Sequence, residues 1–111
     1  MATQPTLSNF ELMVMLAIIR IGDDAYGVSI SNEIETTTGS EVLLGSVYDA
    51  LTRLQEKGLV SSALGEATAE RGGRAKRHFR TTSRGLKLVR ETQKSLVKLW
   101  RGLPELKEGE A

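Results

Sequence analysis

No cysteine occurs in the chain, and that absence excludes a disulfide framework, a thiolate metal site and a cysteine nucleophile together. Histidine is reduced to His78. With no second imidazole or carboxylate cluster to join it in a metal site, it reads as an exposed residue of a strand. No acid, base and nucleophile converge in the sequence, so neither an enzyme nor a cofactor is expected. No stretch approaches the roughly 18–20 apolar residues that cross a bilayer; the run ending at Ile19 is far shorter. Residues 1–5 lack the basic and apolar regions of a signal peptide. The expectation is a soluble cytoplasmic protein with no membrane partner.

The most informative absence is local. Residues 71–90 contain no acid but eight basic residues: Arg71, Arg74, Lys76, Arg77, Arg80, Arg84, Lys87 and Arg90. Residues 1–70 are the reverse, with three basic residues against ten acidic, so the net charge of +1 conceals two opposite halves. The basic run opens Arg71-Gly72-Gly73-Arg74, a glycine turn flanked by guanidinium groups. Such asymmetry points to a polyanionic partner, nucleic acid or an anionic surface. A solvated strand-loop-helix edge is the plainer explanation of the same run. At 111 residues the chain makes one domain with, at most, an appended helix. It is small enough that association would add materially to its stability.

Ser8 followed three residues later by Glu11 forms a capping box ahead of an apolar run, which predicts a first helix to about Arg20. That helix is apolar nearly all round, so burial on more than one side is expected. Gly22-Asp23-Asp24 breaks it, and Asp24 is placed to cap a second helix over residues 25–38 that buries Tyr26, Ile30 and Ile34. Gly39 ends this helix, and residues 41–44 are read as extended. A third helix is predicted over 45–57. Val47, Ala50, Leu51 and Leu54 lie on one face of it, and Gly45, Asp49, Thr52, Arg53 and Glu56 on the other. Residues 59–64 and 77–82 read as two strands of a hairpin with a long, glycine-rich connection. Thr82 caps a last helix that runs to about Leu103, where Gly102 and Pro104 stop it ahead of a polar tail. The fold class is mostly α with a small β-hairpin. The order is that of a winged helix-turn-helix, residues 1–82, followed by a C-terminal dimerisation helix and tail, residues 83–111.

Three segments carry a family resemblance. They are Tyr26-Gly27, then Gly45-Ser46-Val47-Tyr48-Asp49-Ala50-Leu51-Thr52-Arg53-Leu54 with Glu56-Lys57-Gly58-Leu59-Val60, and Gly72-Gly73-Arg74-Ala75-Lys76-Arg77-His78-Phe79-Arg80-Thr81-Thr82 ending at Gly85. In this order and at these separations the chain resembles the PadR-type transcriptional regulators over roughly residues 7–101. The single short C-terminal helix is similar to that of the smaller subgroup. His78-Phe79 stand where the family often has two tyrosines, Thr81 where it has a leucine, and Asp49 where it commonly has a proline. The resemblance implies a homodimeric regulator, usually a repressor, acting on double-stranded DNA at a near-palindromic operator. It also places Tyr26 at the DNA.

The third helix is then the reading element, though not a basic one. Gly45 and Ser46 let a phosphate approach the free N–H groups of its first turn. Tyr48 flanks the apolar face, either as core or with its hydroxyl reaching out. Asp49 can accept from cytosine N4 or repel phosphate. Arg53 either contacts the DNA backbone or pairs with Asp49 one turn earlier. Phosphate affinity must come mainly from the hairpin, where Gly73 lets the tip bend and Arg71, Arg74, Lys76 and Arg77 supply cations. In the last helix Leu86, Val89, Leu96, Val97, Trp100 and Leu103 form a broad apolar stripe, and Leu88 and Leu99 a narrower seam. Two faces needing cover suggest one against the protein's own body and one against a second subunit. The dimer-interface candidates are Leu88, Leu96, Leu99, Trp100 and Leu103. In the small-subgroup relatives that the chain resembles, the space between these helices houses planar aromatic ligands, which makes Trp100 the effector-site candidate; packing alone would also explain it. A different class of function remains open: a winged helix that docks its basic face on an acidic protein partner.

Overall fold

The computed structural model describes residues 6–65 and 76–106. Helix α1, Asn9–Ile21, begins at the predicted box: the Glu11 N–H donates to Ser8 Oγ at 3.1 Å and the Ser8 N–H to Glu11 Oε1 at 2.9 Å. Helix α2, Gly27–Thr38, starts two residues later than predicted, and Asp24 is not its cap. Ser29 takes that role from inside the helix. Its Oγ accepts the Tyr26 N–H at 2.9 Å and donates to the Asp24 carbonyl at 2.7 Å. Tyr26 therefore precedes the helix, extended and half-buried, while Ile30 and Ile34 enter the core as predicted. Gly39 closes α2 in the left-handed conformation, φ 77°.

Helix α3, Leu44–Glu56, begins one residue before its predicted start, and Val47, Ala50, Leu51 and Leu54 are all buried. Strands β1, Val60–Leu64, and β2, Arg77–Thr81, pair antiparallel in the register Val60↔Thr81 to Leu64↔Arg77. Phe79 fills the inner face of the wing, and its N–H donates to the Ala25 carbonyl at 2.8 Å. Tyr26 bridges to His78, so the stretch before α2 acts as a third, very short strand on the hairpin edge. This fixes the angle of the wing against the helices.

Helix α4, Ser83–Trp100, is capped by Thr82, whose Oγ1 accepts the Gly85 N–H at 3.0 Å. Gly85 is obligatory there, since a Cβ would run into the Leu59 carbonyl. The helix ends three residues short of the predicted Leu103, and a 3₁₀ turn, Pro104–Leu106, follows. The Thr81 hydroxyl is buried without a partner, an uncompensated cost at a position where the resemblance favours leucine. The buried residues of α4, Gly85 and Val89, both lie in its first half. The molecule is accordingly elongated, with extents of 55 × 43 × 21 Å.

The core gathers Val14 and Met15 of α1, Ile30 of α2, the apolar face of α3, Leu59 and Phe79. Inside this layer lies one charge, Glu11, only 3% exposed. Its carboxylate accepts from Lys57 Nζ at 3.0 Å and from Arg53 Nε at 3.0 Å. Lys57 also reaches the Thr6 carbonyl at 3.1 Å. Burial opposes ionisation of Glu11. The Ser8 N–H and the Lys57 and Arg53 cations outweigh it and hold the carboxyl at about 2, below its usual 4.5. Because the folded value is the lower one, this stability is complete above pH 4.5 and is lost as pH falls toward 2. Glu11→Gln should destabilise the fold by roughly 2–3 kcal/mol at neutral pH, less than a fully buried pair because Arg53 and Lys57 stay partly solvated. Denaturant unfolding across pH 2–7 should also show a shallower acid limb for the variant.

Candidate nucleic-acid interface

Three stretches distant in sequence build one exposed face. The first is the amino-terminal half of α3. With Val47, Ala50, Leu51 and Leu54 turned inward, Gly45, Ser46, Asp49 and Thr52 are left outward and exposed. No side chain caps this helix. Leu43 occupies the N-cap, and its carbonyl takes the Ser46 and Val47 N–H groups at 3.0 and 3.2 Å. Helices with Ser, Thr, Asp or Asn at this position are typically more stable by about 1 kcal/mol. The turn before it is nonetheless fixed, because the Val42 N–H donates to Glu35 Oε2 at 2.9 Å.

The second stretch is Tyr26-Gly27. The Tyr48 ring lies on Gly27 so closely that a Cβ there would overlap its hydroxyl and ring edge. Tyr48 is therefore neither core nor free: one side packs on the start of α2, and it remains 45% exposed. The third stretch is the beginning of β2. Lys76 Nζ sits 3.8 Å from the Tyr26 ring centroid, a cation–π contact. The His78 ring meets Tyr26 edge-on, with centroids 5.8 Å apart. His78 is thus half-buried rather than exposed, with Nε2 at 3.5 Å from Asp24 Oδ1. Arg77 is exposed beside it and donates to Ser62 Oγ at 3.0 Å. Arg80 meets Asp23 at 3.1 Å in full solvent, where such a pair contributes little.

Of the residues singled out from sequence, Tyr48 packs on Gly27, Lys76 lies over the neighbouring Tyr26, and Gly45, Ser46 and Asp49 share the exposed face of α3. Arg53 is not paired with Asp49. Its Nε instead donates to Glu11 of α1 at 3.0 Å. Arg71, Gly73 and Arg74 lie outside the described residues. Sequence reasoning missed Leu43, although an apolar residue where a polar cap belongs was a readable signal. It also missed Lys57, whose pairing with Glu11 has no local signature. Among the described residues, no group of three or more His, Asp or Glu side chains is placed to hold a metal ion.

A second feature lies away from this face. Between α1 and α4 runs an apolar groove of about 510 Å³, whose walls include Leu12, Leu16, Val89, Leu96, Val97 and Trp100. Trp100 is 59% exposed and Leu99 74%, with Leu96 and Leu103 also exposed. Leu88 does not join them. It is half-buried against the protein's own core, so the narrower seam is not open along its whole length. Among the described residues no helix is long and apolar enough to cross a membrane.

A family model described as the transcriptional regulator PadR-like family matches residues 15–91. Among solved structures the chain is similar to a PadR-like transcription factor from Bacteroides fragilis, at 25% identity and TM-score 0.68, covering 81% of this chain and 82% of that one. It is equally similar to a PadR family regulator from Eggerthella lenta, at 25% identity and TM-score 0.68, covering 87% and 82%. A PadR-like regulator from Bacillus cereus shares the fold at 23% identity and TM-score 0.66, covering 81% and 82%. No curated protein matches the chain.

The Gly27–Tyr48 contact can be tested without any ligand. Gly27→Ala should keep its melting transition within a few degrees, since a half-exposed ring can swing aside. It should shift the Tyr48 ring resonances toward those of a solvated tyrosine. Unchanged Tyr48 resonances would mean that the ring is not seated on Gly27.

Proposed function

We propose that this chain, which belongs to the PadR-like family of transcriptional regulators, acts as a homodimeric repressor that recognises a near-palindromic duplex and is released from it by a planar aromatic effector. One observation carries the reading: Tyr48 packs on Gly27 and Lys76 lies over the Tyr26 ring, which links the exposed start of α3 to the turn before α2 and to the hairpin. In this arrangement α3 enters the major groove amino-terminus first. Ser46, Tyr48 and Asp49 face the base edges, and Gly45 lets the backbone approach a phosphate. Lys76 and Arg77 lie along the phosphates beside the groove, and the sequence alone assigns Arg71, Gly73 and Arg74 to the same contact. Arg53 contributes from its exposed side while Glu11 holds its Nε.

The second subunit supplies the other half-site. Leu96, Leu99, Trp100 and Leu103 form an apolar surface too large to leave in water, and a second copy of α4 covers it with matching chemistry. Two heads then meet half-sites about 34–36 Å apart, one turn of DNA. A flat apolar molecule stacked beside Trp100 alters the spacing of the heads, and a differential affinity of about 1–3 kcal/mol shifts DNA binding roughly 5–150-fold. Occupancy of a promoter by such a dimer blocks transcription.

The salt dependence of binding tests the DNA face. Lys76→Ala should flatten the log–log slope by about one unit per lost phosphate contact, roughly two per dimer. Tyr48→Ala should cost about 1–3 kcal/mol on a selected site and less on random duplex. Unchanged affinity and slope in both variants would refute the assignment, and weak sequence-blind binding by the wild type would point to an acidic protein partner instead.

Sedimentation tests the association. The wild type should run as a dimer at micromolar concentration, and Leu99→Glu/Trp100→Glu as a monomer or an unfolded chain. A stable wild-type monomer would remove the dimer.

A further inference from the structure

Leu43 is the most exposed large apolar side chain among the described residues, at 77%. It stands at the N-cap of α3, where a polar side chain would serve both the helix and the solvent. Two independent rules are broken at one position, which is the mark of a residue kept for function. The backbone that carries it is also held in place. Its carbonyl starts the helix, and the preceding Val42 N–H is fixed by Glu35 at 2.9 Å, so it projects from an ordered turn. Leu44 beside it is 40% exposed. Leu43 further helps to line a shallow notch of about 480 Å³ together with Ser46 and Asp49, two of the residues on the outward face of α3.

Other strongly exposed apolar residues such as Leu99 and Trp100 belong to the α4 surface. Leu43 lies at the opposite functional pole, continuous with Gly45, Ser46 and Asp49. A protein partner is not the best fit for a single leucine bordered by an uncapped helix start and an aspartate. The major groove is. It offers one apolar group, the 5-methyl of thymine, beside a set of hydrogen-bonding edges.

We propose that Leu43 is a specificity-determining residue that reads thymine through its 5-methyl group, with Leu44 as a flank and Ser46 and Asp49 taking the polar edges of neighbouring bases. The proposal rests on the DNA-binding reading above and deepens it. A helix start made of leucine, glycine and serine carries no guanidinium or side-chain amide of its own, so Leu43 adds a methyl contact to the polar readout of Ser46 and Asp49.

The test uses the full-length protein and a duplex selected by it from a random pool. In that duplex every thymine of both half-sites is replaced by uracil, which removes only the methyl. Wild type should lose about fourfold in affinity for each methyl that Leu43 covers, roughly 15-fold for the pair in a dimer. Leu43→Ala should bind the thymine duplex more weakly by a similar factor and should no longer distinguish thymine from uracil. Asp49→Ala should keep the full methyl dependence, which separates reading by Leu43 from a general weakening of the interface. Equal wild-type affinity for the two duplexes would overturn the proposal, as would undiminished uracil sensitivity in Leu43→Ala or a selected half-site without thymine. The wild-type comparison holds even if a variant fails to fold. Failure to select any duplex would instead sink the DNA-binding reading, and this inference with it.

Discussion

The carboxylate of Glu11 belongs to two structures at once. To its own helix it is the third residue of a capping box, accepting the Ser8 N–H. To the rest of the molecule it is the anion on which Lys57 and Arg53 of the α3 region close. Three donors on a side chain that is almost entirely buried make a stiff joint, since the carboxylate left without them would be an uncompensated buried charge. Through this joint the amino-terminal residues, α1 and α3 share one frame, and the exposed face of α3 inherits its orientation from the interior. A hydrophobic contact alone, being non-directional, does not supply such an orientation.

The wing is positioned by different means. Its two strands are joined to the helical body by backbone hydrogen bonds, from Phe79 to Ala25 and from Thr82 to Leu59. Side chains then refine the seat, with Phe79 filling the core and Tyr26 held between Lys76 and His78. Gly85 permits α4 to cross directly over the Leu59 carbonyl. One closely packed corner therefore relates wing, helices and α4.

Much of this was legible in the residue order, for physical reasons that can be named. The Ser8–Glu11 box, Gly39 and the Thr82 cap are local signals, complete within a few residues, and each appears where its spacing required. The apolar face of α3 was legible because Val47, Ala50, Leu51 and Leu54 repeat at the helical period. The errors lie where tertiary partners compete with local ones. Asp24 had the chemistry of a cap, but the edge pairing of residues 25–26 with β2 keeps the backbone extended and delays the helix to Gly27. Arg53 had a local partner in Asp49, but Glu11 offers a buried, better-oriented one that no sequence separation announces. Leu88 has the spacing of an outer seam, but it falls on the rooted half of α4 where the core still reaches. The candidate site was legible in its chemistry and less so in its geometry. That Tyr48 meets Gly27 follows from the packing of α2 on α3, and that Lys76 meets Tyr26 follows from the bridge to His78.

The division of charge along the chain takes on a further meaning once the pairs are known. Every basic side chain of residues 6–65 is engaged by a carboxylate: Arg20 by Glu33, and Arg53 and Lys57 by Glu11. The side chains of the acidic body thus add little attraction for an approaching polyanion, while β2 and α4 carry the positive end. With a net charge of only +1, the molecule is barely pulled toward such a field but is turned within it. The torque acts before contact, so encounters are sorted by angle of approach and not by frequency. Salt that shortens the range of the field removes the alignment first, leaving collisions as numerous as before but randomly oriented.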